Sequence, residues 1–177
     1  MNTNLKNAKE SLTSLCTNSD IKQLLKAIGE SNELYIVGGA VRDCLMGKNL
    51  SDLDFASNLD PETLTNKLIS ANIRTIPTGL QHQTVTVVIS EQTGNIEITT
   101  FRAEGMSPKG GLVHGKNIEQ DLKFRDFTIN SIAFNCKTHE FVDPYHGIND
   151  IDKKIISCTG SAKELSLIHI SEPTRPY

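Results

Sequence analysis

The sequence predicts an α+β fold, in which strands joined by short turns form one sheet and helices pack to one side of it. Two observations support this prediction. Strand-like segments are grouped in hairpins, and the chain lacks the regular strand–helix alternation of a doubly wound sheet. The length of 177 residues and the hydrophobic fraction of 37% are those of one globular domain.

The N-terminal part predicts helices followed by a buried strand. Leucine and isoleucine recur at spacings near three and four over residues 5–30, with a break at TNSD, which predicts one interrupted helix or two short ones. The apolar ELYIVGG predicts a buried strand that ends in glycines. The following AVRDCLMG predicts a short helix stopped by Gly47.

A second strand is expected at SDLDFAS, where polar and apolar residues alternate. On such a strand Asp52 and Asp54 would share one face while the intervening apolar side chains point to the core. The next segment has the start signals of a helix, because Asp60 can act as its N-cap and Pro61 suits the first helical position.

Three more strands are predicted around RTIP, QTVTVVIS and NIEITTFR. Gly94 and Asn95 suit a tight turn, so the last two strands should form an antiparallel hairpin.

The rest of the chain predicts a loop, a helix and short strands. Residues 103–117 contain four glycines and a proline and are expected to form a mobile loop. The segment IEQDLKFRDFTINSIAFN has a helical period. EFVDPYHG predicts a short strand and turn, and NDIDKKIISCT a helical turn and a final strand.

Composition excludes several classes of protein. The four cysteines are scattered without metal-ligand spacing, which favours buried free thiols in a reducing compartment over a zinc site or a disulfide framework. No leader-like segment and no run of 18 apolar residues is present, so we expect a cytoplasmic protein with no membrane partner. The net charge of -3 argues against nucleic-acid contacts across the whole surface.

The acid pair Asp52 and Asp54 indicates a metal site. Two carboxylates on one face repel each other and raise one another's pKa unless a cation lies between them. Hard oxygen ligands of this kind suit Mg²⁺, which binds one or two carboxylates and completes its shell with phosphate and water. The alternative for a D-x-D pair is a solvated strand edge or turn.

A phosphate site is indicated just before the acid pair. Gly38 and Gly39 follow a strand and open a helix, where backbone N–H groups can meet a polyphosphate, and Arg42 lies close enough in sequence to add a bidentate contact. A glycine pair alone is more often only a tight turn. Together with the acids, the pattern predicts a nucleoside triphosphate bridged to two aspartates by metal ions.

Four motifs, VGGAVRD, GKNLSDLDFA, EITTFR and DLKFRDFTINSIAFN, together resemble the head of the bacterial tRNA nucleotidyltransferase and poly(A) polymerase family, a branch of the DNA polymerase beta superfamily. The resemblance runs from about Leu34 to Cys158. It implies a polymerase-beta-like palm with a five-stranded mixed sheet flanked by helices. It also implies template-free transfer of nucleotides to an RNA 3′ end with release of pyrophosphate.

The same resemblance assigns roles to individual residues. It makes Asp52 and Asp54 the Mg²⁺ ligands and Glu97 a third acid, although Glu97 could equally be a solvent-facing strand residue. Gly39 and Arg42 fall on positions that contact the triphosphate.

The second half of the predicted nucleotide site lies in the fourth motif. By the resemblance Arg125 binds the incoming nucleotide. Asp126 and Asn130 would share a helical face and hold Arg125 or the ribose, their alternatives being a helix cap and a buried amide. His82 falls where tRNA-adding members of the family commonly have a histidine before a Thr-Val strand. It is expected to be structural rather than catalytic.

Two positions depart from the family pattern. Phe124 stands where a second arginine is usual, and Gln83 stands where a glycine is usual. The first change removes or replaces one cationic contact, and the second reshapes a turn. Neither touches the predicted metal ligands.

Three segments are predicted: an N-terminal helical segment 1–30, a nucleotidyltransferase head 31–164 and a tail 165–177. The tail, LSLIHISEPTRPY, resembles a translated sequencing-library adapter, which implies that the native chain continues differently after Glu164 and that segments for base selection and RNA binding are missing.

The leading functional hypothesis is CCA addition to the tRNA 3′ end from CTP and ATP. Addition of CC alone or A alone, poly(A) synthesis and a truncated nucleotide-binding or RNA-binding head without turnover remain open. Oligomeric state is not predicted.

Overall fold

The computed structural model describes residues 3–50, 52–79, 83–90, 94–106 and 112–160. Its helices are α1 (Thr3–Cys16), α2 (Ser19–Ile28), α3 (Gly39–Leu45), α4 (Pro61–Ser70), α5 (Ile118–Leu122) and α6 (Gly147–Lys153), with a 3₁₀ turn at Thr128–Asn130. Its strands are β1 (Leu34–Val37), β2 (Asp54–Ser57), β3 (Arg74–Gly79), β4 (Thr84–Ser90), β5 (Gly94–Thr100), β6 (Arg102–Met106), β7 (Leu112–His114), β8 (Ala133–Asn135) and β9 (Phe141–Val142).

One mixed sheet organises the described part of the chain, in the order β3-β4-β5-β2-β1-β8-β9. The β2–β5 pair is parallel and the other pairs of this sheet are antiparallel. The α+β class and the mixed sheet flanked by helices are confirmed. The expected number of five strands is wrong for the described residues, because β8 and β9 extend the sheet beyond β1 to seven strands.

The sheet separates two hydrophobic clusters. On one face, side chains of helices α1 to α4, Leu12 among them, pack with strand residues that include Ile36, Phe55 and Phe134. On the other face a smaller cluster joins Val37 and neighbouring strand residues to α5. Because consecutive strand residues point to opposite faces, Ile36 enters the first cluster and Val37 the second. This alternation fixes the position of the β1 end that precedes Gly38.

Several element predictions are confirmed. The N-terminal segment forms two helices, with Asn18 capping the second through a hydrogen bond from the N–H of Ile21. Helix α4 begins after Asp60, whose side chain accepts a hydrogen bond from the N–H of Thr63 at 2.9 Å. The β4–β5 hairpin is antiparallel, as expected from its glycine turn.

The helix predicted over IEQDLKFRDFTINSIAFN is wrong beyond its first turns. Helix α5 ends at Leu122, and residues Ala133–Asn135 form β8 between β1 and β9. Phe134 and Ala133 are buried on opposite faces of the sheet, an environment that suits a strand and overrides the local helical period.

The loop predicted over residues 103–117 is also wrong where the structure describes it. Strands β6 and β7 pair there as a separate two-stranded sheet, with a register irregularity between Ala103 and Met106. The final strand predicted in NDIDKKIISCT reduces to one isolated bridge between Phe127 and Cys158.

Three of the four cysteines are buried, namely Cys16, Cys44 and Cys136, and burial raises the pKa of Cys44. No helix in the described ranges is both long and apolar enough to cross a bilayer. His82 and the predicted tail 165–177 lie outside the described residues.

Candidate active site

Neighbouring strands place two predicted acids side by side. In the antiparallel β1–β2 pair, Val37 is opposite Asp54, so the strand end before the glycines lies beside the first residue of β2. In the parallel β2–β5 pair, Asp54 is the register partner of Glu97. Both carboxylates belong to exposed residues. The start of β2 and the adjacent residue of β5, in the middle of the sheet, therefore form an acidic edge that solvent and ligands can reach.

Asp52 lies in the bend before β2 and not on the strand. Its φ of +23° and its place before the first residue of β2 show that the period-two argument for Asp52 and Asp54 is wrong. The Asp52 charge nevertheless acts on Asp54 and raises its pKa.

The pKa of Asp54 is raised from its ordinary value. Partial burial of its carboxyl group is the largest cause, followed by the negative charge of Glu97, while Arg125 opposes the shift and Asp52 adds to it. Crowded negative charge of this kind favours binding of a cation.

Gly38 is the point of closest approach between the backbone and these charged groups. Its φ of +68° and ψ of -136° are rarely adopted by residues with a side chain. A Cβ at this position would lie 3.0 Å from Nη1 of Arg125 and 3.9 Å from Oδ2 of Asp54. The turn therefore favours glycine, and a side chain here would also press on the Arg125 guanidinium group.

Arg42 is fixed by two oxygen acceptors. Its Nε donates to Oδ1 of Asp43 at 2.9 Å, and its Nη1 donates to Oδ1 of Asn130 at 2.7 Å. Its Nη2 lies over the start of α3, 3.5 Å from where a Cβ on Gly39 would be. The guanidinium group of Arg42 is thus held close to the first residue of α3.

Asn130 connects this arginine to Asp126. Its Nδ2 donates to Oδ1 of Asp126 at 3.2 Å, while its oxygen accepts from Arg42. The expected proximity of Asp126 and Asn130 is found, although a turn followed by a 3₁₀ segment produces it instead of the predicted α-helix. Asn130, which was expected to hold Arg125 or the ribose, binds Arg42 among the arginines.

Arg125 is held by a buried acid that sequence reasoning missed. Its Nη2 donates to Oδ2 of Asp121 at 3.2 Å, and Oδ1 of Asp121 accepts from Nε of Arg102 at 2.8 Å. Burial lowers the pKa of Arg125, although the Asp121 charge opposes this shift.

Asp121 and Arg102 stood in the motifs that carried the family resemblance. Asp121 precedes Arg125 by four residues in DLKFRDF, a spacing at which side chains can meet on a helix, and Arg102 ends EITTFR. The signal was therefore present, but a contact between segments 19 residues apart could not be assigned without the fold.

Phe124 lies beside Arg102, one of the two arginines that Asp121 binds. The guanidinium carbon of Arg102 lies 6.0 Å from the centroid of the Phe124 ring, a cation–π arrangement. At the position where the family usually has a second arginine, this chain thus has an aromatic ring and no positive charge.

The donor set fits a hard cation that is completed by substrate. In the described part of the chain, no three His, Cys, Asp or Glu side chains are close enough to hold a metal ion alone. Mg²⁺ commonly needs only one or two carboxylates when phosphate oxygens supply other ligands. In addition, Nε of Arg125 is buried without a hydrogen-bond partner among the described residues, as expected of a donor that meets a ligand or water.

The mixed sheet, the glycine turn and the acidic edge together define a nucleotidyltransferase head with a polymerase-beta-like palm. Residues 34–157 match the family described as the poly A polymerase head domain. Since this match covers well over half of the chain, the chain belongs to the poly A polymerase head-domain family.

Curated relatives carry a more specific name. The chain is 36% identical over 148 residues to the CCA-adding enzyme of Streptococcus thermophilus, covering 81% of this chain and 35% of the relative. It is 37% identical over 136 residues to that of Staphylococcus aureus, covering 75% of this chain and 32% of the relative. The chain thus spans about a third of the length of the relatives it matches.

Solved structures agree with these relatives. The Bacillus stearothermophilus CCA-adding enzyme in complex with CTP matches with a TM-score of 0.68 and 32% identity, over 93% of this chain and 35% of that one. A tRNA nucleotidyltransferase complexed with a primer tRNA and an incoming ATP analogue matches with a TM-score of 0.60 and 27% identity, over 78% of this chain and 38% of that one.

Proposed function

We propose that this chain is the catalytic head of a tRNA nucleotidyltransferase that adds C, C and A to the tRNA 3′ end from CTP and ATP and releases pyrophosphate. The main support is the acidic edge, where Asp54 and Glu97 are register partners and Arg125 packs against the adjacent Gly38 turn. The names of the relatives and of the solved complexes support tRNA, CTP and ATP as partners. Residues 31–164 would form this head and 1–30 a helical segment packed on it.

The residues fit Mg²⁺ as the cofactor. Asp52 and Asp54 would hold the metal, with Glu97 as a neighbouring acid. When bound, Mg²⁺ supplies activation of the attacking hydroxyl and charge neutralisation at the leaving pyrophosphate. The raised pKa of Asp54 supports this assignment, since a nearby cation would relieve the repulsion that causes part of the shift.

The remaining site residues orient the nucleotide. Gly38, Gly39 and Arg42 would bind the triphosphate through backbone N–H groups and a guanidinium group that is already fixed by Asn130. Because Arg42 is prepositioned, less side-chain freedom is lost on binding.

Arg125 would contact the incoming nucleotide beside the Gly38 turn. Its guanidinium group packs directly against the Gly38 turn, so one nucleotide could touch both. Asp126 would act through Asn130, to which it is hydrogen-bonded, in orienting Arg42. We place this chemistry in the cytoplasm, where a reducing environment keeps buried thiols such as Cys16 and Cys136 free.

An incorporation assay tests this function. The 177-residue chain is incubated with a tRNA lacking CCA, labelled CTP and ATP, and Mg²⁺, and the extended 3′ ends are sequenced. We expect addition of C, C and A. Long A tails without C would instead establish a poly(A) polymerase, the activity for which the family is named.

A nucleotide-binding head without turnover is the second candidate. The observation that favours it is the span of this chain, about a third of its relatives, which leaves room for RNA-binding parts outside it. Binding of CTP and ATP by calorimetry without any incorporation would support this candidate and contradict the first.

A further inference from the structure

Asp121 is a buried carboxylate shared by two arginines from different elements. It is 1% exposed. Its Oδ1 accepts from Nε and the backbone N–H of Arg102, at 2.8 and 3.2 Å, and its Oδ2 accepts from Nη2 of Arg125 at 3.2 Å. Both oxygens are therefore occupied, and the acid joins β6 to the segment after α5.

Arg125 has a second acid within reach of its charge. A Cβ placed on Gly38 would lie 3.0 Å from Nη1 of Arg125 and 3.9 Å from Oδ2 of Asp54, so the two charged groups approach the same turn. Among the described residues, however, the ion pair of Arg125 is with Asp121. Arg125 is thus placed between two carboxylates and bound to the one farther from the Gly38 turn.

Removal of the Asp121 charge would change which carboxylate attracts Arg125. Arg102 and Arg125 would then repel each other without a shared counter-ion, and Asp54 would be the acid left to attract Arg125. A direct Arg125–Asp54 pair would occupy a carboxylate that the proposed metal needs. It would also withdraw the guanidinium group from the nucleotide.

We propose that Asp121 is a positioning residue that holds Arg125 away from Asp54, so that Asp54 remains available to Mg²⁺ and Arg125 to the nucleotide. This inference rests on the proposed function. It assigns to Asp121 no contact with substrate. Its effect is exerted through the orientation of Arg125, and Arg102 completes the same buried cluster.

The test is calorimetric binding of CTP to the 177-residue chain over a series of Mg²⁺ concentrations. In Asp121→Asn we expect the Mg²⁺ concentration for half-maximal CTP affinity to rise by about tenfold, the scale seen when a partner of a metal ligand is lost. High Mg²⁺ should restore much of the affinity, because the metal then displaces Arg125 from Asp54.

Glu104→Gln is the matched control. Glu104 lies on β6 and pairs with Lys123 next to α5, so the substitution removes one negative charge from a pair linking the same two parts of the chain, but at an exposed position. We expect its Mg²⁺ requirement to equal that of the wild type. A change in Glu104→Gln as large as in Asp121→Asn would overturn the proposal.

Circular dichroism checks the fold of each variant. Should Asp121→Asn fail to fold, Asp121→Glu keeps the charge but displaces it, and a smaller rise in the Mg²⁺ requirement is expected. An unchanged Mg²⁺ requirement in a folded Asp121 variant overturns this proposal alone. Failure of the wild type to bind CTP or ATP at any Mg²⁺ concentration overturns the proposed function and this inference with it.

Discussion

Gly38 joins the three parts of the site at the scale of single residues. Its turn follows β1, its backbone faces the Arg125 guanidinium group, and Asp54 lies just beyond. A side chain here would both strain the backbone and displace Arg125.

Gly38→Ala should therefore lose nucleotide affinity and stability together. The positive φ alone costs about 1–2 kcal/mol in the free energy of unfolding, and contact of the new Cβ with Arg125 adds a loss of CTP affinity. Urea unfolding and calorimetry measure the two effects.

Gly47→Ala is the matched control for that prediction. Gly47 has a φ of +75°, but a Cβ added there would meet no atom within 4 Å among the described residues, so the substitution introduces the backbone strain without the contact. We expect a similar loss of stability and unchanged CTP affinity. Equal affinities for the two alanine variants would contradict the role given to Gly38.

Residue-level reasoning from sequence singled out Asp54, Glu97 and Arg125, which the fold brings close to one another or to Gly38, while their roles stay predictions. It missed Asp121, whose contacts with Arg102, 19 residues away, and whose burial arise only in the fold. It expected Asn130 to hold Arg125 or the ribose from a helix, whereas Asn130 lies in a 3₁₀ turn and accepts a hydrogen bond from Arg42.

Elements with strong local signals were predicted best. Helix α4 has a capping aspartate and a proline at its start, and it begins where those signals place it. Strand β8 has no such signal: its short apolar segment becomes a strand because β1 and β9 pair with it. Pairing with strands that are distant in sequence thus determines the secondary structure of a segment whose local pattern is ambiguous.

The cap of α4 provides a prediction of pH dependence. Hydrogen bonds from Thr63 hold the pKa of Asp60 below its ordinary value. A lowered pKa in the folded state means that the ionised carboxylate stabilises the fold above its unfolded pKa of about 3.9, and that this contribution is lost as pH falls through the folded pKa.

Asp60→Ala should accordingly lower the free energy of unfolding by about 1 kcal/mol at pH 7. The difference from the wild type should narrow below about pH 4, measured by urea unfolding at several pH values. Asp60→Asn, which keeps a capping oxygen without the charge, should stay near the wild type at pH 7. A difference that grows as pH falls would contradict the assignment.

At the scale of the whole molecule, the N-terminal helices and the sheet share one hydrophobic cluster. Leu12 of α1 is fully buried in the same cluster as Ile36 and Phe55, the strand residues that flank the site. The helices therefore support the sheet edge that carries Asp54. The sequence pattern indicated amphipathic helices but gave no sign of which face of the sheet they cover.

Leu12→Ala should lower the free energy of unfolding by about 2–5 kcal/mol, the cost of a buried leucine and its cavity. Ile69→Ala, at a side chain that is 59% exposed, should change it by less than about 0.5 kcal/mol. Chemical unfolding of both variants measures the difference. A small effect of Leu12→Ala would show that α1 contributes little to the common core.

The central claim, that Asp54 and its neighbours form a metal-dependent nucleotidyltransferase site, is tested most directly by Mg²⁺-dependent incorporation of labelled CTP into tRNA lacking CCA. The wild-type chain is compared with Asp52→Asn and Asp54→Asn, with Glu10→Gln on the exposed face of α1 as the control. We predict activity in the wild type and control, and a loss of at least about 100-fold in each aspartate variant with the fold retained. Incorporation of CTP by either aspartate variant at the level of the wild type would contradict the account.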